Sequence, residues 1–352
     1  MSKEIEHPRN PAFSGQILVS MDKFRGTATA RQLCESVATV VTRAHTPVDV
    51  QPMSDGGEGF REAFVGDVEV VDVPGPLSAM VAAPITLQDS PTGTLAIIEV
   101  SEVVGRGHLI TPTREQALDA SSAGIGHLIL RAAEIGASRI LIGCGGSATS
   151  DGGLGCYRVL QDAGGLPVPL TAATDVTARF SGLLRYAAQK GVRPDDLNVI
   201  EQRVEELRTF YISEQGVDVE NLERSGASGG IPGGLAALGA VLTSGLDAVV
   251  QSVNLEQRIK RSSLVITGEG RLDHGSLEGK VTGGIAALLS AETNLLVICG
   301  SMETAAEREF RLRYPWANLV SLVDRFDRRT ALTDVFGCIE FIVAEELERY
   351  PS

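Results

Sequence analysis

The chain reads as an α/β protein of two domains, one inserted in the other, and three observations predict this. Between residues 16 and 53 an apolar run ILVS, a helix-forming stretch TARQLCESVATVVTRA and a second run VDVQPM follow one another. The same rhythm returns late in the chain as SSLVITG, NLLVICG and ANLVSLV, with helix-like segments between them. Strands alternating with helices at this spacing build a parallel sheet covered on both faces, here of five strands, two early and three late. The third observation is length: 352 residues exceed the roughly 250 to 300 that one core organises.

The middle of the chain carries strands of its own, VEVVDV, LAIIEV and RILIG. We therefore expect a discontinuous first domain, 1–60 plus 255–352, and an inserted α/β domain, 61–254; a plain division near residue 165 is the alternative. Helical periodicity predicts a first helix capped by Thr27 or Thr29. Further helices are expected over 122–136, 151–163, 197–210 and 233–244 in the insert, and over 280–290, 303–313 and 333–350 after it. The charge-dense stretch 191–226 reads as a solvent-facing helical excursion. The first 16 residues mix charges with prolines and lack an apolar core, which predicts a frayed tail and not a secretory signal.

Composition narrows the function classes. A formal charge of −14 with no basic stripe argues against nucleic acid or an anionic membrane as partner. Five cysteines, widely spaced and without a CxxC pair, indicate neither a disulfide frame nor a thiolate zinc site. No run approaches the ~20 apolar residues of a membrane span. A cytoplasmic protein acting on a small molecule is the expectation.

The chemistry concentrates in three glycine-rich segments that each follow an apolar run: QPMSDGGEGF (51–60), SRILIGCGGSATSDGGL (138–154) and LVITGEGRLDHGSLEGK (264–280). Glycine lets the backbone approach a ligand, and a helix starting near Asp151 would add its positive end, so the second segment reads as an anion seat. Ligands of open parallel sheets sit beyond the carboxyl ends of the strands. Asp22, Asp55, Glu269 and Ser301 follow four such strands and are expected to meet in one phosphate-handling cleft. Asp22, Asp55 and Glu269 are the candidates for holding Mg²⁺ or for orienting and deprotonating an attacking hydroxyl. Arg25, Arg271 and Lys280 supply positive charge to a transferring phosphoryl group.

One other class, a dinucleotide-dependent oxidoreductase, is legible but weaker. Gly143 to Ala148 fits a loose G-x-G-x-x-A dinucleotide pattern, yet a convincing acidic residue closing a second strand about 20 positions on is missing, because GGLPVPLTAATD runs through prolines and threonines instead. A Walker G-x-x-x-x-G-K-[ST] loop is absent from the glycine segments, no Ser-His-Asp or Cys-His spacing is legible, and His274 reads as solvent-facing.

Together the segments resemble the glycerate kinase type 1 family. MDKFRGT (21–27), SDGGEG (54–59), IEVS (98–101), CGGSATSDGGLG (144–155), QKG (189–191), GASGGIPGG (226–234) and ITGEGRLDHGSLEGK (266–280) are similar, in order, to the family's PDSFKGS, ADGGEG, IEMA, IGGSATNDGGAG, QKG, GAAGGLG and ITGEGRLDGQSLHGK. The resemblance implies a flavodoxin-like domain of strand order 2-1-3-4-5 with a second domain inserted in it. It also implies direct transfer of the ATP γ-phosphoryl group to a hydroxyl of D-glycerate with Mg²⁺; closure of the domains over substrate, excluding water from the γ-phosphate, is a further expectation. In that reading Gly145, Gly146, Ser147, Thr149, Gly152, Gly153, Gly229 and Gly230 hold the nucleotide, and Ser54, Glu58, Glu99, Asp175 and Lys190 the hydroxy acid. The chain also departs from the pattern. Arg25 replaces the family lysine, Gly275 a glutamine and Thr282 a proline, and the family's CDVxNPLxGxxGA survives as TDVTARFSGLLRYAA (174–188), keeping Asp175 but not Asn-Pro-Leu. These losses favour altered hydroxy-acid choice, or a catalytically weakened sensor, as the second reading.

Overall fold

A computed structural model describes residues 15–90 and 92–349; of the expected 16-residue tail, residues 1–14 lie outside them, and Gln16 instead opens the first strand. The chain divides into two compact units, Met1–Met53 with Ser252–Ser352, and Ser54–Gln251. Eleven strands occur among the described residues: β1 (Gln16–Val19), β2 (Val48–Val50), β3 (Asp67–Pro74), β4 (Met80–Gln88), β5 (Leu95–Glu99), β6 (Arg139–Gly143), β7 (Leu170–Thr174), β8 (Val241–Ser244), β9 (Ser262–Leu272), β10 (Asn294–Met302) and β11 (Asn318–Ser321).

In the first unit the sheet order is β2-β1-β9-β10-β11, all parallel, which is the flavodoxin order. The pleat explains why these strands are nearly all apolar: both faces are covered. Ile17 and Val19 on β1 and Met21 just beyond it, with Leu264 and Ile266 on β9, face a core closed by Leu33, Val37 and Val41 of the helix Ala30–Arg43 and Ile339 and Val343 of the helix Val335–Glu348. The alternate positions face the other way. The helix Ala30–Arg43 begins where Thr29 closes a capping box, its hydroxyl accepting from Gln32 N at 3.2 Å and the Gln32 side chain accepting from Thr29 N at 3.0 Å.

The second unit holds a mixed sheet, β3-β4-β5-β6-β7-β8, antiparallel from β3 to β5 and parallel from β5 to β8. Its core packs Ile98, Ile140 and Ile142 against Ile125, Leu128 and Ile129 of the helix Ala123–Glu134. A satellite cluster around Phe180, Tyr157 and Tyr211 carries the long helix Leu197–Gln215, so the charge-rich 191–226 stretch is anchored on one face and wet on the other.

Two expectations change here. The helix expected over 233–244 ends at Ala237, and Val241–Ser244 pairs in parallel with β7 as the sixth strand; four residues, VLTS, between Gly239 and Gly245 show no period of their own. The helix expected from Asp151 starts at Leu154, after two left-handed glycines, Gly152 and Gly153.

Candidate functional site

Each unit contributes a distinct constellation. In the first, the backbone ladder between β1 and β9 runs past the end of β1, with Ser20 N donating to Ile266 O at 2.8 Å and Asp22 N to Gly268 O at 2.9 Å. Because the ladder persists, the two-residue period persists too, placing Ser20, Asp22, Thr267 and Glu269 on the face turned away from the Ile17/Val19/Met21 core. All four are buried. The hydroxyls of Ser20, Thr267 and Thr282 and the Oε1 atom of Glu269 have no hydrogen-bond partner. Burial pushes the Glu269 carboxyl up to about 7, opposed by the nearby Ser276 and Thr282 hydroxyls, while the Asp22 charge raises it and Lys280 lowers it. A buried, unpaired carboxylate oxygen beside a second carboxylate is an environment that a hard cation relieves.

The other sequence-predicted residues of this unit are placed around that face. Asp22 accepts from Lys23 N at 2.8 Å. Arg25 is exposed on a turn closed by Phe24 N donating to Ala28 O. Strand β9 extends to Leu272, so Glu269 and Arg271 lie within a strand and not in a loop; Arg271 is exposed and ion-paired with Glu303 at 2.5 Å. Asp273 is committed to capping the short helix His274–Leu277, and Lys280 stands 3.8 Å from it. His274 is exposed beside Glu278, as its isolated position in a turn suggested. Ser301 lies on β10 opposite Arg271.

In the second unit the structure brings the glycine segments 54–59, 143–153 and 226–230 together. A Cβ at Gly145 would stand 2.5 Å from the Gly57 Cα, so two bare backbones lie back to back. Gly152 N donates to Gly229 O at 2.9 Å. The Lys190 ammonium, buried beneath, donates to Ser147 Oγ at 3.0 Å and to Thr149 O at 2.6 Å. Burial pulls Lys190 down to about 7; Asp151 opposes this and Arg106 reinforces it.

Asp151 overturns one expectation. Its carboxylate accepts from Gly153 N at 3.1 Å, Gly155 N at 3.2 Å, and Ser122 N and Oγ at 2.8 and 2.7 Å. The positive end of the helix Leu154–Asp162 is thus satisfied by the protein's own anion and not held open for a phosphate. Glu99 is similarly engaged: buried at the end of β5, it accepts from Gly59 N at 2.9 Å, Arg61 N at 3.2 Å and the Ser101 hydroxyl, and burial leaves it above the usual carboxylate range. It pins the 54–59 loop. In that loop Asp55 accepts from Gly57 N at 3.1 Å, Ser54 from Gly56 N at 3.3 Å, and Glu58 is exposed. Asp175, directly after β7, is half-buried, and its charge reinforces the burial that pushes the Cys144 thiol up.

Against this geometry stand the relatives. A family model described as the glycerate kinase family matches residues 17–164 and 165–331. The chain belongs to the glycerate kinase family. It is 35% identical over 291 residues to an uncharacterized protein of Mycobacterium bovis, covering 77% of this chain and 75% of that one. It is 30% identical over 335 residues to a glycerate kinase of Halalkalibacterium halodurans, covering 84% and 87%. A solved structure assigned as glycerate kinase 2 from Salmonella typhimurium LT2 superposes with a TM-score of 0.74 at 25% identity, over 95% of this chain and 99% of that one.

Sequence reasoning passed over Ser20, Thr267, Ser228 and Arg106, and read Thr282 only as a departure from the family pattern. The first two could have been found from the strand period, since a hydroxyl at a position facing a covered layer needs a partner. The segment that lost Asn-Pro-Leu is ordered by an aromatic: Phe180 is buried, and a Cβ at Gly152, Gly230 or Gly233 would meet its ring at 3.1 Å or closer.

Proposed function

We propose that this protein is an ATP-dependent kinase transferring the γ-phosphoryl group directly to a hydroxyl of D-glycerate, or of a closely similar short hydroxy acid, with Mg²⁺. The observation that carries the reading is the meeting of three glycine segments, two of which close on the buried Lys190 ammonium, a seat for anionic reactants in a chain of this family.

Mg²⁺ takes oxygen ligands, commonly one or two carboxylates with the rest from phosphates and water. The unpaired Oε1 of Glu269 and the neighbouring Asp22 fit that demand, and a bound Mg²⁺ would neutralise charge on the transferring group. Asp55 is the further candidate, for metal or for orienting the attacking hydroxyl. Among the described residues no group of three or more His, Cys, Asp or Glu could hold a metal ion, so a permanent all-protein cage is not part of the proposal. Arg25 and Lys280 offer positive charge at low cost because both are solvent-accessible; Arg271 must first exchange Glu303 for a ligand.

The 143–153 segment would hold nucleotide phosphates through Gly145, Gly146, Ser147 and Thr149, with Gly152, Gly153, Gly229 and Gly230 letting the two loops meet. Ser54, Glu58, Asp175 and Lys190 would face the hydroxy acid, and Glu99 would act through the 54–59 loop. In-line transfer needs positioning and electrostatics, not a covalent nucleophile.

The test is coupled ADP production from Mg-ATP with D-glycerate and a panel of short hydroxy acids, with the phosphorylated carbon read by ³¹P and ¹³C NMR. Turnover that Asp22→Asn and Asp55→Asn each reduce by at least a hundredfold, with unfolding midpoints unchanged, is the expected result. Binding of D-glycerate and Mg-ATP without ADP release would favour the sensor reading, which the lost Asn-Pro-Leu supports.

A further inference from the structure

We propose that the Lys190 ammonium, with the hydroxyls of Thr149, Ser150 and Ser228, forms an oxyanion seat for one bound reactant: either the carboxylate of the hydroxy acid or a phosphoryl oxygen of the nucleotide. The proposal rests on the kinase reading for its ligands, but its geometry stands apart from it.

Lys190 is 8% exposed, and its two partners, a hydroxyl and a carbonyl, carry no charge. The nearby carboxylate of Asp151 is consumed by Ser122 and the helix amides of Gly153 and Gly155. Arg106, whose backbone N donates to Gly146 O at 3.0 Å, adds a second positive charge from the Arg106–His108 turn bonded to that loop. A buried cation without a contacting anion is costly, and an incoming oxyanion removes that cost.

The surrounding hydroxyls point the same way. Thr149 Oγ1, Ser150 Oγ and Ser228 Oγ are buried without partners, on the two segments that flank the ammonium. Ser228 sits in the left-handed region at φ 47° and ψ 34°, ahead of left-handed Gly229 and Gly230. A non-glycine residue held there is strained, and such strain persists where the surrounding structure enforces it. The turn presses the backbone onto the ammonium: a Cβ at Gly229 would lie 2.7 Å from Lys190 Nζ. An acceptor-only group such as a carboxylate or phosphoryl oxygen is what these donors lack.

Calorimetric titrations of wild type, Lys190→Met and Ser228→Gly with D-glycerate, glycerol and Mg-ATP test the seat and assign it. Loss of at least tenfold in D-glycerate affinity in both variants, with Mg-ATP affinity kept within twofold and glycerol binding unaffected, assigns the seat to the carboxylate. The reverse pattern assigns it to the nucleotide. Ser228→Gly also relieves backbone strain, so its thermal midpoint should rise while its ligand affinity falls, a combination that a merely structural serine would not give. Acetate and inorganic phosphate serve as probes independent of the kinase reading. Stabilisation of wild type but not of Lys190→Met by either one upholds the seat even if no turnover is found. Folded Ser228→Gly and Lys190→Met proteins with wild-type affinities overturn it, as does a wild type that none of the five ligands stabilises. Should Lys190→Met not fold, Thr149→Val takes its place, with a threefold or greater loss expected and an unchanged affinity overturning the proposal.

Discussion

Replacing Lys190 with methionine removes one titrating group while keeping most of its volume, and the structure fixes how stability should then depend on pH. The ordinary lysine value of 10.5 falls to about 7 at this buried position. Below pH 7 the ammonium is protonated in folded and unfolded chains alike, and the folded protein bears the whole cost of burying it. Between about pH 7 and 10.5 the unfolded chain binds more protons than the folded one, so ligand-free wild type gains stability as pH rises. Each tenfold difference in proton affinity is worth about 1.4 kcal/mol, which gives wild type roughly 2 to 3 kcal/mol over Lys190→Met between pH 7 and pH 9. Urea unfolding of both proteins at half-unit pH intervals, in buffers free of phosphate and carboxylates, measures the difference. Parallel curves across that window would refute the argument, because they would mean that Lys190 keeps its ordinary proton affinity and is not paying for burial.

Glu269→Gln should behave in the opposite sense in metal-free protein. The carboxyl rises from 4.5 to about 7 on folding, so its contribution is complete below pH 4.5 and is lost as pH climbs to 7; the glutamine variant should gain up to about 3 kcal/mol on wild type across that window, read by the same urea titration. Gly229→Ala places a Cβ 1.9 Å from Thr149 O at a positive φ and should destabilise by about 3 kcal/mol or more, lowering the thermal midpoint. Thr29→Ala opens the capping box of the first helix and should cost about 1 kcal/mol with turnover unchanged, by chemical denaturation and the coupled assay.

The sheet of the first unit was legible because its strands are continuous apolar runs separated by helices with a 3.6-residue period; five strands were counted and their order is the flavodoxin one. The second unit was harder. Strand β4 reads MVAAPITLQ, with a proline at its centre, and β7 reads LTAAT; small residues and threonine carry little periodic signal, and tertiary pairing decides their state. Strand β8 is four residues inside what looked like a helix. At the site, motifs identified which loops matter but not how their groups are spent. The aspartate of SATSDGG looked like the mouth of an anion site and instead closes its own helix. Its role depends on Ser122, 29 residues earlier in the chain, a distance over which no local pattern reports. Lys190 was found as part of a tripeptide, while its burial and the unpaired hydroxyls around it arise only from the fold.

The interrupted first unit has a consequence for synthesis. Strand β1 lies between β2 and β9, and Leu18 is paired with Val265 across the whole of the second unit's sequence. A growing chain therefore presents its opening βαβ segment long before the central partner strand leaves the ribosome. The inserted block, by contrast, is contiguous and owns its core, so it can condense first and hold the two severed ends of the outer sheet on one tether. Completion of that outer sheet waits on the last hundred residues, which makes the final stage of translation the point at which truncation does the most damage.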